Sequence, residues 1–219
     1  MKPILFNTEM VQAILAGRKT QTRRLVKPRY RAGEAGFQVI TNKSTGQFVR
    51  IEVYDEWEEE TRWLREPCRP GDVLYVRETW FYEEHMENIT EGAPDLPSGR
   101  YSSRYIYRAD NPDYPVNVGV GATGWRPSIF MPKEAARIFL QVNDVRAERL
   151  QKITAEEIRA EGSATGAAFA GDMEIAAEEF ALLWDSTIPP SERELYGWRA
   201  DPWVWVITFE QIGKEETET

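Results

Sequence analysis

The chain has 219 residues and a formal net charge of −9, with 42% hydrophobic and 29% charged residues. This composition predicts a folded chain of one domain with insertions, or at most two small domains, and not a disordered protein. Only one cysteine and one histidine are present, which excludes an internal disulfide and a zinc site of Cys and His ligands, and favours a reducing compartment. Because neither a signal peptide nor an apolar stretch of membrane-spanning length is found, the expected location is the cytoplasm.

The first predicted element is a helix over residues 8–16, with Thr8 as its N-cap and Gly17 as a left-handed stop. The stretch KTQTRRLV then alternates as a strand. One side of that strand carries Lys19, Gln21 and Arg23, and the other carries Thr20, Thr22 and Arg24. This strand lies in a basic part of an acidic chain, since residues 1–31 hold eight Lys or Arg and a single Glu.

Residues 32–68 are rich in turns and acidic side chains. Within them, FQVI and QFVRIEV are predicted to pair as a hairpin, and DEWEEETRWLREP to form a charged turn or a short helix. The turn RPGD then leads into a strong strand, VLYVRETWF, in which Arg77 and Glu78 face opposite sides. Residues 83–124 have little periodicity; RYSSRYIYRAD is their best strand, and His85 is expected at the surface.

The stretch ARIFLQVNDVRAERL is predicted as a long strand with a bulge near Asn143. The segment TAEEIRAEG follows as a helix with Thr154 as N-cap and with Glu161 and Gly162 at its end. A further helix is expected over residues 172–187. Its inward side chains would be Ile175, Phe180 and Leu183.

The last predicted strand is DPWVWVITFEQI, and a charged tail over residues 214–219 follows it. Strands and helices do not alternate regularly along the chain, which disfavours a doubly wound sheet. The sequence therefore predicts an α+β fold, a small closed or partly open β-barrel with short helices at its ends and two long insertions.

With one histidine and one cysteine, catalysis would depend on Lys, Thr, Ser, Tyr, Asp or Glu. Lys19 and Thr22 are candidates, because a tight turn after Gly17 would bring their side chains together. A threonine hydroxyl needs a base, and a lysine acts as one only where burial or neighbouring cations lower its pKa. A solvated basic strand edge explains the same residues without any chemistry.

Glu161 ends a helix, where a carboxylate opposes the helix dipole at a cost of roughly a few tenths of a kcal/mol. That position suggests a role beyond stability, and a salt bridge is the alternative.

An inward Arg77 would suit a phosphate or a carbonyl, with a cross-strand ion pair as the alternative. In GWRPSIFMP, Trp125 could stack on a base and Ser128 could hydrogen-bond its edge, although aromatic side chains more often fill a core.

Four of these segments, in this order, resemble the ASCH domain, a relative of the PUA fold. ILAGRKTQTRR is similar to its G-x-K-T-x-T-x-R strand, and RPGDVLYVRETW to its GD-x-L-x-V strand. IFLQVNDVRAERLQKITAEEIRAEG is similar to its strand and helix ending in Glu-Gly, and DPWVWVITFE to its closing strand. The arrangement looks most like ASCH proteins encoded by phages and prophages. The similar segments cover approximately residues 2–27, 69–82, 125–163 and 200–210.

The resemblance implies a single ASCH domain over residues 1–213, with insertions at 32–68 and 83–124. It also implies a β-barrel whose cleft receives RNA or a nucleoside. One branch of the family removes the acetyl group from N4-acetylcytidine with a Lys, a Thr and a Glu. These three catalytic residues fall on Lys19, Thr22 and Glu161.

In that reading, Arg24 and Arg77 would hold a phosphate or the developing oxyanion, and Trp125 and Ser128 would contact the base. Either Thr22 attacks after losing its proton to a neutral lysine, or a water activated by the glutamate attacks while the lysine stabilises charge. No cofactor, metal or membrane is expected, and no particular oligomeric state is indicated.

Two other functions stay open at this point. One is a non-catalytic module that binds RNA or a modified base, and the other is a metal-independent ribonuclease. The acidic pI of about 4.9 disfavours tight, non-specific coating of RNA in every case.

Overall fold

The computed structural model describes residues 1–88, 99–114, 124–162 and 172–218. They form three sheets and several short helices, so the α+β class is confirmed. The strands are β1 Lys2–Leu5, β2 Gln21–Leu25, β3 Glu34–Thr41, β4 Phe48–Asp55, β5 Glu60–Leu64, β6 Val73–Arg77, β7 Trp80–Asn88, β8 Gly99–Tyr107, β9 Phe139–Arg149 and β10 Trp203–Ile212. The α-helices are α1 Thr8–Leu15, α2 Ala155–Ala160, α3 Met173–Thr187 and α4 Arg193–Tyr196.

The central sheet has five strands in the order β1-β6-β9-β10-β2. The β1–β6 pair is parallel, whereas the other three pairs are antiparallel. The bulge expected near Asn143 is confirmed, because Thr208 pairs with Asp144 and Phe209 with Val142. Within the described residues no backbone pairing joins β1 to β2, and a closed barrel is not found.

Helix α1 begins at Thr8, but its N-cap is Asn7, whose side chain accepts a hydrogen bond from the Met10 N–H at 2.8 Å. The expected Thr8 cap is therefore wrong by one residue, since both residue types suit the position. Gly17 has φ +69° and ends the helix as expected.

Helices α2, α3 and α4 cover one face of the central sheet. Thr154 is the N-cap of α2 as predicted, and it forms a capping box through reciprocal hydrogen bonds with Glu157. The apolar residues between these helices and the sheet are Leu150, Ile153, Ile158, Ala176, Phe180, Trp184, Ile188, Val204 and Val206. Of the three inward residues predicted on α3, Phe180 is buried and Leu183 is half-buried, but Ile175 is exposed.

The opposite face of the sheet holds the main core, and the inserted sheet β3-β4-β5 packs beside it. Trp205 of β10 packs there with Val26 and with Ile51 of β4. The hairpin predicted from FQVI and QFVRIEV is confirmed as β3 and β4. The turn predicted within DEWEEETRWLREP is present in its first half, where the Glu58 N–H donates to the Asp55 carbonyl at 3.2 Å, but the second half forms β5 and pairs with β4.

The strand predicted over VLYVRETWF is divided into β6 and β7 at Glu78 and Thr79. Strand β7 pairs with β8. The strand predicted within RYSSRYIYRAD is confirmed as part of β8. Trp80 packs in a cluster with Met131 and Phe139. The side chain of His85 lies outside the described residues. In the ranges that the structure describes, helices of the length and apolar character needed to span a membrane are absent.

Candidate functional site

The chain turns sharply after α1 and brings Lys19 to the end of α2. Residues 18 and 19 both donate their backbone N–H groups to the Ala13 carbonyl, at 2.9 and 3.1 Å. Lys19 then forms an isolated antiparallel bridge with Glu161, and the Thr20 N–H donates to the Ala160 carbonyl at 2.8 Å. The tight turn expected after Gly17 thus places Lys19 against a residue 142 positions away in sequence.

The Lys19 ammonium group is buried, and protein oxygens accept from all three of its N–H groups. Nζ donates to Oε2 of Glu161, to the Glu161 carbonyl and to the Gln21 carbonyl, each at 2.8 Å. The exposed fractions of the Lys19 and Glu161 side chains are 0% and 7%. Three acceptors match the three protons of an ammonium group, so the geometry is that of a charged lysine.

Two effects of opposite sign act on the pKa of Lys19. Burial lowers this pKa because the ammonium loses its water, whereas the Glu161 carboxylate raises it, and the net direction is downward. Arg24 and Arg23 lower the pKa of Lys19 further. A lowered pKa would help Lys19 to act as a general base. Its nitrogen has a free lone pair, however, only after Nζ has lost one proton and with it one of the three hydrogen bonds.

Glu161 is held from its other side by Arg23, which donates from NH1 to Oε1 at 3.2 Å. The NH2 group of Arg23 also donates to Glu148 and Glu157, both at 2.8 Å. Arg146 forms ion pairs with the same two glutamates. This network ties β2, β9 and α2 together and fixes the Glu161 carboxylate between two cations.

Thr22 lies on the other face of β2 from Arg23. It is buried, pairs with Ile207 across the ladder and shares its face with Arg24. The Thr22 hydroxyl forms no hydrogen bond with any residue that the structure describes. The structure therefore joins Lys19 and Glu161 directly, whereas Thr22 is adjacent along the strand without a hydrogen bond to either.

Arg24 lines a cavity of about 280 Å³ between the two edge strands of the central sheet. Strand β1, Cys68 and Ile207 form other parts of its wall. Arg24 donates from NH2 to the Leu5 carbonyl at 2.7 Å and so connects β2 to β1. The volume is near the lower end of the range of small-molecule sites, about 300–1,000 Å³.

The Phe6 ring connects this cavity wall to the buried ion pair. The Arg24 guanidinium lies 5.1 Å from the ring centroid and Lys19 Nζ lies 5.6 Å from it. Burial lowers the pKa of Arg24, and the Glu161 carboxylate opposes that effect. Arg24 has no ion-pair partner in the described part of the chain, which leaves guanidinium donors for an anion or a carbonyl.

Arg77, Trp125 and Ser128 lie elsewhere. Arg77 alternates with Tyr75 on the face of β6 that packs against the Trp80 cluster, and its Nε donates to the Met131 carbonyl at 2.7 Å.

Trp125 is half-buried beside Arg126, which forms a β-bridge with Trp80. Ser128 begins a 3₁₀ turn and accepts the Met131 N–H at its carbonyl. Among the described residues, no hydrogen bond, ion pair or ring contact connects Arg77, Trp125 or Ser128 with Lys19 or Glu161. Their binding roles stay predictions.

Gln21 and Arg23 also belong to this region; sequence reasoning gave Gln21 no role and offered Arg23 only as a neighbouring cation that lowers the pKa of Lys19. Gln21 Nε2 and Arg23 Nε are buried without a hydrogen-bond partner in the described structure. The signal was the alternation that placed both residues with Lys19 on one side of the strand. An oxygen acceptor from water or from a ligand would satisfy these donors.

The ranges that the structure describes contain no group of three or more His, Cys, Asp or Glu side chains arranged to hold a metal ion. Another buried carboxylate, Glu78, is paired with Arg137, which donates from Nε and NH2 at 2.8 and 3.0 Å. Burial raises the pKa of Glu78.

No protein-family model matches the chain, and no curated protein matches it. Among solved structures, the chain is similar to the crystal structure of protein EF3133 from Enterococcus faecalis, described by the family model DUF984. The TM-score is 0.42 and the identity is 11%, and the match covers 97% of this chain and 82% of that one. A likeness of this degree defines neither a family nor an activity for the chain.

Proposed function

We propose that this chain is an ASCH-type protein that binds RNA or a modified nucleoside beside β2 and hydrolyses an acyl amide on the base. The observation that carries the proposal is the contact of Lys19 with Glu161. It joins the strand segment of Lys19 and Thr22 to the Glu-Gly end of α2, the two segments that carry the catalytic residues implied by the resemblance. In this proposal the five-stranded sheet takes the place of the expected barrel. Arg24 of β2 donates to the Leu5 carbonyl of β1 and so connects its two edge strands.

Of the two mechanisms, the geometry favours the one in which Lys19 stays charged. Its three N–H groups are all donated to oxygen atoms, so the lysine stabilises negative charge rather than removing a proton. Glu161 takes a proton from a water molecule, and the water oxygen attacks the acyl carbonyl. The tetrahedral intermediate then expels the base amine, which receives the proton from Glu161, and the acyl group leaves as a carboxylic acid that loses its remaining proton to the solvent.

Arg24 stabilises the developing oxyanion in this scheme. Its guanidinium lies at the wall of the cavity and on the same face of β2 as Thr22. A cation with free donors next to an apolar wall is suited to a charge that develops during the reaction. In the alternative mechanism Thr22 attacks, and Lys19 must first lose a proton and its contact with one of the three oxygens.

The test is turnover of N4-acetylcytidine to cytidine, measured by liquid chromatography for the wild type, E161Q, T22V and T20V. We expect E161Q to lose about 10²-fold or more in kcat, the size of a general-base contribution. T22V should stay within about tenfold of the wild type, because its side chain keeps its shape and the water mechanism needs no hydroxyl. Thr20 is exposed and serves as the matched control.

A loss of about 10³-fold in T22V alone would assign the attack to Thr22 instead. If the wild type releases no product from acetylcytidine, either free or in an oligonucleotide, the hydrolase proposal is wrong. Cleavage of bulk RNA in the presence of a chelator would indicate the ribonuclease.

A non-catalytic reader of RNA or of modified bases is the second candidate. It is favoured by one observation, the complete saturation of the Lys19 donors within a buried ion-pair network that also reaches Glu148 and Glu157. Such a network serves as a rigid support for a binding cleft without any chemistry. Binding of acetylcytidine that survives T22V, with no product formed, would identify this function.

A further inference from the structure

A second cavity, a groove of about 950 Å³, lies along the inserted sheet and the segment 65–69. We call it the Trp63 groove. Its wall contains Trp63, Arg50, Arg65 and Arg69, together with Glu60 and Glu66. The groove is distinct from the cavity beside Arg24, and neither the Lys19 contact nor the proposed hydrolysis uses it.

Trp63 is 59% exposed, and a neighbouring cation contacts its ring. The Arg50 guanidinium lies 4.7 Å from its ring centroid. Arg50 in turn donates from Nε to Glu52 at 2.7 Å, and Glu52 accepts from Gln38 at 3.1 Å. An aromatic ring that is left in water is suited to stacking on a flat partner, and nucleic-acid bases are such partners.

The charge of the groove differs from that of the whole chain. The chain carries −9, whereas three arginines and two glutamates line this groove. Arg65 forms no ion pair in the described parts of the chain. Arg69 is 72% exposed at its side chain, and its Glu66 partner lies at 3.9 Å. Arg50 is neutralised by Glu52, so Arg65 and the loosely paired Arg69 are the cations that favour a polyanion at this surface.

The Trp63 groove and the cavity beside Arg24 share one wall segment. Leu64, Arg65, Glu66 and Arg69 line the groove. Pro67 and Cys68, between them in sequence, line the cavity. A flexible polymer can therefore contact both spaces by crossing a segment of six residues, from 64 to 69.

We propose that the Trp63 groove binds a single strand of nucleic acid, with one base stacked on Trp63 and phosphates at Arg65 and Arg69. The neighbouring nucleotide of that strand then reaches the cavity beside Arg24. Its base is the substrate of the proposed hydrolysis, so the enzyme acts on a base within a strand rather than on a free nucleoside. This last step rests on the proposed function, whereas strand binding at Trp63 does not.

Strand binding is measured by fluorescence anisotropy with a labelled single-stranded oligoribonucleotide that contains no acetylated base. The variants are W63A, the double variant R65A/R69A, and W57A as the matched control. Trp57 is 75% exposed on the β4–β5 turn and does not line the groove. Because all these side chains are exposed, the fold should be unaffected, and thermal melting checks this.

We expect W63A to weaken oligonucleotide binding about tenfold or more, as the loss of one base–aromatic stack does. R65A/R69A should reduce the slope of log K against log salt by about 1.4, since each phosphate contact to a single strand contributes about 0.7. W57A should bind like the wild type. Turnover of free acetylcytidine should be equal in W63A and the wild type, while turnover of an acetylated oligonucleotide falls in W63A.

Equal oligonucleotide binding by wild type, W63A and R65A/R69A would overturn the proposal. Binding of an acidic peptide that competes fully and depends on the arginines but not on Trp63 would overturn it as well. If strand binding depends on Trp63 but no acetylated substrate is turned over, the proposal of strand binding at the Trp63 groove is supported and the hydrolase proposal is wrong. If the free nucleoside is turned over and no strand binds, the hydrolase stands and the groove proposal is wrong.

Discussion

Gly162 packs so closely against Lys19 that a β-carbon at position 162 would lie 2.9 Å from Lys19 Cβ. The same atom would lie 2.8 Å from Ala13 Cβ, and Gly162 has φ +81°, where side chains are strained. The residue after Glu161 thus lets the end of α2 approach the turn that carries Lys19. In the Glu-Gly pair, Glu161 therefore supplies the charge that binds Lys19, and Gly162 supplies the space that this close approach requires.

The first prediction is that G162A destabilises the protein and disturbs the Lys19–Glu161 contact. The left-handed backbone alone costs about 1–2 kcal/mol, and the overpacking adds about 1–3 kcal/mol. G71A is the matched control, because Gly71 has φ +88° with no atom near its added β-carbon. Urea unfolding measures both variants, and equal losses of unfolding free energy would show that the packing against Lys19 is unimportant.

The second prediction concerns the buried ion pair itself. K19M should lower the free energy of unfolding by about 3–5 kcal/mol, because it leaves the Glu161 carboxylate with less compensation in a buried site. E161Q should also be destabilising, since the buried ammonium loses its countercharge. The double variant should lose clearly less than the sum of the two single losses. Additive losses in a urea double-mutant cycle would contradict a direct contact.

Much of the architecture follows from local patterns. The turn after Gly17, the capping box at Thr154 and the bulge at Asn143 each depend on a few neighbouring residues, and each is present. The pairing of Lys19 with Glu161 was implied by resemblance, because no local pattern relates positions 142 residues apart.

Other features depend on tertiary packing, which local reasoning misses. Ile175 fits an apolar stripe on α3, yet Ala176 and Trp184 face the sheet instead. The acidic composition of the stretch that forms β5 predicts a turn or a helix, because its strand character comes from pairing with β4 rather than from its own residues. The saturation of the Lys19 donors by backbone carbonyls likewise has no signature in the sequence.

The third prediction is a pH dependence inside the inserted sheet. Arg62 donates to both carboxylate oxygens of Glu34, at 2.7 and 2.9 Å, and lowers the pKa of Glu34 from 4.5 to about 2. A lowered pKa means that this stabilisation is complete above pH 4.5 and is lost as the pH falls towards about 2. E34Q should therefore melt at a lower temperature than the wild type at pH 7, and the difference should shrink across that window.

The control for this experiment is E60Q, because Glu60 is exposed on β5 and its side chain forms no ion pair with the residues described. E60Q should melt like the wild type at both pH values. A difference between E34Q and the wild type that is the same at pH 7 and at pH 3 would show that the Glu34 charge contributes nothing.

The fourth prediction uses Cys68 as a reporter of the cavity beside Arg24. The thiol is buried in the cavity wall, and burial, with Asp72 nearby, raises its pKa to about 11. At pH 8 a thiol of pKa 11 is about 0.1% thiolate, against roughly a quarter for an ordinary cysteine of pKa about 8.5. Because the thiolate is the reactive form, iodoacetamide should alkylate native Cys68 about 10²-fold more slowly than the unfolded chain. The native rate should rise with pH up to about 11, and fast alkylation at pH 8 without unfolding would mean that the cavity is open to water in solution.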